Sequence, residues 1–61
     1  MNEQERAVVA AIEAGATTTP ELEKELGEEA TRTGLVLLQR RGRVAVSGGT
    51  WRALPEGQSS R

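Results

Sequence analysis

The sequence predicts a small α+β domain, three helices followed by a two-stranded β-hairpin. Three observations carry that expectation. Glycines at positions 15, 27 and 42 separate three stretches rich in helix formers. Within those stretches apolar residues recur at helical spacing. Beyond Gly42 the pattern changes to alternation on either side of a Gly48-Gly49 pair, the signature of a tight hairpin. At 61 residues the chain has room for one domain, and a domain of this size is only marginally stable alone.

The first helix is expected from Asn2 to about Ala14. Asn2 is a natural N-cap, and Glu5 three residues later completes a capping box. Val8, Ala11 and Ile12 form its apolar face, and Gly15 ends it. Residues 16–19 form a short connection. The second helix starts with Thr18 or Thr19 as cap, Pro20 in its first turn and Glu21 paired with Thr18. Leu22 and Leu26 face the core. Gly27 ends this element, which is too short to hold without packing.

The third helix covers roughly Glu28 to Arg41 and stops at Gly42. Its acids lead and its arginines trail, the order that the helix dipole favours. Leu35 and Leu38 are the expected core contacts, with Thr31 one turn earlier. Gly34 costs roughly 1 kcal/mol inside a helix, which points to a close approach of another element. In the hairpin, Ser47 should pair with Thr50, Val46 with Trp51, and Val44 with Ala53. Val44, Val46, Trp51 and Ala53 then face the helices, whereas Arg43, Ala45, Ser47, Thr50, Arg52 and Leu54 face outward. Trp51 is expected in the core. The domain would span residues 1–55, with residues 56–61 as a disordered polar tail.

Composition excludes much chemistry. There is no Cys, His, Asp, Tyr or Phe, so disulfides, thiolate or imidazole metal sites and His-based nucleophilic triads are ruled out. Nothing places the glutamates in a pocket with a perturbing partner, so no catalytic, cofactor or metal site is expected. The apolar runs are too short to span a bilayer and no signal peptide is visible, which points to a cytoplasmic protein.

The net charge of −1 conceals an asymmetry. Residues 1–29 carry eight Glu against Arg6 and Lys24, a balance of −6, and residues 30–61 carry six Arg against Glu56, a balance of +5. No acid lies between positions 30 and 55. Either the two halves attract each other in the fold, or the basic half meets an anionic partner.

The segment Thr18-Thr-Pro-Glu-Leu-Glu-Lys-Glu-Leu-Gly27 and the segment Leu35-Val-Leu-Leu-Gln-Arg-Arg-Gly-Arg-Val-Ala-Val-Ser-Gly-Gly-Thr-Trp51 together resemble a winged helix-turn-helix domain. The resemblance covers residues 2–54 and is specific to a superfamily. Two narrower likenesses exist. The acidic, Gln-bearing first helix and the Trp in the wing resemble Z-nucleic-acid-binding domains. That family reads its ligand with a Lys, an Asn and a Tyr on the third helix, where alignment on Gly42 puts Glu28, Arg32 and Val36, and its wing carries a Pro-Pro that is missing here. The Gly-Gly-aromatic-Arg wing is similar to the C-terminal winged helix of bacterial DNA-processing proteins.

The superfamily resemblance implies binding of double-stranded DNA, as a small transcriptional regulator or an accessory DNA-binding module, with the third helix in the major groove and the wing on the backbone. Arg32 would then be the base-reading candidate, with Thr31 and Thr33 beside it. Arg40, Arg41, Arg43 and Arg52 would meet phosphates, helped by Ser47 and Thr50 at the wing tip. The alternative is a protein-interaction module. Leu35-Val36-Leu37-Leu38 cannot all face one way on a helix, so Val36 or Leu37 would offer an apolar spot to a protein partner or a second copy.

Overall fold

A computed structural model describes residues 2–54. It contains α1 (Glu3–Glu13), α2 (Thr19–Leu26), α3 (Glu28–Arg41), β1 (Val44–Ser47) and β2 (Thr50–Ala53). The order is the expected α+β arrangement and is consistent with a winged-helix topology. Pro55 and the expected tail lie outside the described residues.

Both predicted capping boxes form. Asn2 Oδ1 accepts from the Glu5 N–H at 2.9 Å, and Glu5 Oε1 accepts from the Asn2 N–H at 2.8 Å. At α2, Thr18 Oγ1 accepts from the Glu21 N–H at 3.4 Å, while Glu21 Oε1 accepts from the Thr18 N–H at 3.3 Å. Each box satisfies donors that a helix start otherwise leaves open. At the other end of α3, Gly42 sits in the left-handed region at φ 73°. The Arg43 N–H then reaches the Leu38 carbonyl at 2.8 Å and the Gly42 N–H reaches that of Gln39 at 3.0 Å. These are the paired hydrogen bonds of a Schellman motif, and they turn the chain directly into β1.

The core is built from Val8 and Ile12 of α1, Leu22 of α2, Leu35 and Leu38 of α3, Val44 of β1 and Trp51 of β2. Leu26 and Ala53 pack at its margin. Gly34 explains how α1 and α3 approach so closely. A Cβ there would lie 2.6 Å from Val8 Cγ2 and 3.2 Å from the Gln4 carbonyl oxygen.

The hairpin has the expected register, Val44 opposite Ala53, Val46 opposite Trp51 and Ser47 opposite Thr50. Residues 16–19 are more than a connection, because the Trp51 N–H donates to the Thr17 carbonyl at 2.6 Å and Thr18 bridges Thr50 in antiparallel fashion. The chain between α1 and α2 thus lies alongside β2 and anchors the wing.

One facing expectation needs correction. Val46 shares the Val44–Trp51 side of the hairpin but is 44% exposed rather than packed on the helices. Trp51, directly opposite on β2, is buried and tied to Thr17 and Thr19, whereas Val46 stands on the other strand and has no such cover.

Candidate nucleic-acid interface

The buried side of α3 comprises Thr31, Gly34, Leu35 and Leu38. A turn of 3.6 residues then puts Arg32, Thr33, Val36, Gln39 and Arg40 on the opposite side, and all five are exposed. Arg32, Val36 and Arg40 stand four residues apart along this stripe, covering about 12 Å of helix. Glu28 and Glu29 occupy its start, and no acid follows them on α3. Val36 lies at the middle of the stripe and is 42% exposed.

The two arginines that end α3 have different surroundings. Arg40 lies on the exposed stripe. Arg41 is rotated about 100° from it, toward α1. There its Nε donates to Glu5 Oε2 at 2.6 Å. The Glu5 carboxylate is fully buried, while the Arg41 side chain remains 54% exposed. The Glu5 carboxyl is held below its ordinary range, first by the Asn2 N–H bond and then by Arg41, against the opposing effect of burial. The charge asymmetry of the sequence is thus partly answered within the fold, because one acid of the first half binds one arginine of the second.

The wing carries the remaining candidates. Ser47 and Thr50 flank the turn and are exposed, as is Arg52 on the outward side of β2. Arg43 is half-buried where the chain passes from α3 to β1, and its Nε is shielded from solvent. Trp51 is buried, and its indole Nε1 donates to Thr19 Oγ1 at 3.0 Å. The indole therefore pins the wing to the start of α2.

The structure brings Arg32, Thr33 and Arg40 onto one face of α3 and places Ser47, Thr50 and Arg52 on exposed parts of the wing. Thr31, grouped with them from the sequence, points the other way and is fully buried. The helical period alone separates it from Arg32 by about 100°. Gln39 was missed, although the same period places it on the exposed stripe. The Glu5–Arg41 and Trp51–Thr19 contacts join residues far apart in the chain, and no local pattern announces them.

Among the described residues, no cluster of acidic side chains is placed to hold a metal ion, and no helix is long and apolar enough to cross a membrane. Compared with known proteins, the chain matches no family model, no curated protein and no solved structure.

Proposed function

We propose that this chain is a winged helix-turn-helix domain that binds double-stranded DNA, serving as a small transcriptional regulator or an accessory DNA-binding module. The observation that carries the reading is the exposed stripe of α3, where Arg32, Thr33, Gln39 and Arg40 stand together without an acid beyond Glu29. In this reading α3 enters the major groove. The Arg32 guanidinium donates two bonds to a guanine edge. Arg40 and Arg52 neutralise phosphates, with the half-buried Arg43 at the margin and Ser47 and Thr50 donating weaker bonds from the wing tip. Thr31 has no part in it.

The overall charge of −1 makes this a weak, salt-sensitive binder. Each neutralised phosphate contributes about −0.9 to the slope of log affinity against log salt. Three contacts therefore predict roughly a forty-fold loss between 50 and 200 mM salt. The test is an amide-resolved NMR titration with a short mixed-sequence duplex at both salts. Salt-reversed shifts confined to residues 32–43 and 47–52 are expected. Their absence at low salt would overturn the reading.

The exposure of Val36 favours one alternative, a docking spot for a protein partner or a second copy of the chain. Val36 and Leu37 lie about 100° apart on α3, and Leu37 is half-buried, so they do not merge into one patch. An apolar interface would resist salt and weaken on Val36→Ser.

A further inference from the structure

Val36 is an apolar side chain in cationic and polar surroundings. It is 42% exposed at the middle of the outer face of α3, with Arg32 one turn before it and Arg40 one turn after it. Thr33 and Gln39 flank it on the same face. Leu37 points to the side, so nothing apolar extends the spot along the helix.

An apolar protein surface would have to desolvate both arginines in order to cover this one valine, a costly exchange. The floor of a DNA major groove has the opposite composition. It is walled by phosphates, and its one apolar group is the thymine 5-methyl. A branched aliphatic side chain between two guanidinium groups complements that arrangement.

From this geometry we infer that Val36 reads a thymine, packing its methyl groups on the 5-methyl in the major groove between the contacts made by Arg32 and Arg40. The inference rests on the DNA-binding reading and adds a base preference to it. The site bound by this chain should contain a thymine within one helical turn of the protein from the guanine read by Arg32.

The experiment uses the whole chain. A randomised duplex pool is selected for binding at low salt. The recovered consensus is then synthesised in two forms, with thymine or with uracil at each T position in turn. Uracil keeps every hydrogen-bonding group and lacks only the methyl. At one position the wild-type protein should bind the thymine form roughly four-fold tighter, the effect of losing one buried methyl contact. Val36→Ala should bind both forms equally. Val36→Thr, which keeps one methyl at the same place, should retain part of the preference and guards against a misfolded alanine variant.

Equal affinity of the wild type for both forms at every position, with salt-dependent binding intact, would overturn the thymine contact and leave the DNA reading standing. The same holds for a consensus without thymine, or for a preference that survives in Val36→Ala. No binding to any duplex at low salt would overturn the DNA reading itself.

Discussion

The guanidinium of Arg41 donates to the buried carboxylate of Glu5 at 2.6 Å, joining the last turn of α3 to the first turn of α1. The same carboxylate caps α1 through the Asn2 N–H. One acid therefore satisfies a helix start and holds two helices together.

This arrangement has a pH dependence of defined sign. The Glu5 carboxyl is held below its ordinary range in the fold, chiefly by the Asn2 bond and then by Arg41. A depressed folded value stabilises the fold above the unfolded value, about 4.3, and that contribution is lost as pH falls through the lower folded value. Melting curves followed by circular dichroism from pH 7 to pH 3 should show the wild type losing stability below about pH 4.3. Glu5→Gln should start lower at pH 7 and fall less steeply across the same window. Parallel curves for the two proteins would contradict the assignment.

Arg40 and Arg41 are neighbours with opposite expected roles. Arg41→Gln breaks the tie to Glu5 and should lower Tm by several degrees while changing duplex affinity little. Arg40→Gln should leave Tm alone and reduce the salt slope of duplex binding by about 0.9, the loss of one phosphate contact. Thermal melts and fluorescence anisotropy at two salts separate the two effects. A larger affinity loss in Arg41→Gln would reverse the roles.

Gly34 should be intolerant of even a methyl group. Helix propensity alone predicts that Gly34→Ala gains about 1 kcal/mol. The added Cβ would meet Val8 Cγ2 at 2.6 Å and the backbone oxygen of Gln4 at 3.2 Å. Val8 is fully buried, so its methyl has no open space to move into. Overpacking of this kind costs about 1–3 kcal/mol and should outweigh the propensity gain. Urea denaturation should show a lower midpoint. Measured against Val8→Ala alone, which carries its own cavity cost, Gly34→Ala should cost less than it does in the wild type, because the Val8 Cγ2 contact is then gone and only that to the Gln4 oxygen remains.

Local chemistry made the elements legible and left their mutual contacts hidden. The boundaries of α3, both capping boxes and the hairpin register follow from Gly, Asn, Thr and Glu at short spacings, where each residue acts on backbone groups within one turn. The cost of Gly34 pointed correctly to a close helix approach, though not to Val8 as the neighbour. Val46 was misplaced because strand alternation gives the side on which a residue lies and says nothing about what covers it there. The role of Arg41 depends on a partner 36 positions away. Within the candidate interface, the helical period was sufficient to separate Thr31 from Arg32, and to include Gln39, once the buried face of α3 was known.

Thr31 supplies the last test. Its side chain is fully buried, and its Oγ1 has no hydrogen-bond partner among the described residues. A buried hydroxyl left unsatisfied costs about 1–3 kcal/mol. Valine keeps the β-branched shape and has nearly the same helix propensity, so Thr31→Val removes the polar group with little other change. The variant should be more stable by about 1 kcal/mol, which for a domain of this size raises Tm by roughly 4–8 °C. Calorimetry checks the gain. Duplex affinity should stay the same, because the side chain is fully buried against the core while Arg32 and Arg40 are exposed. A loss of stability would mean that the hydroxyl donates to a carbonyl one turn earlier, whereas a loss of affinity at unchanged stability would return Thr31 to the DNA-facing set.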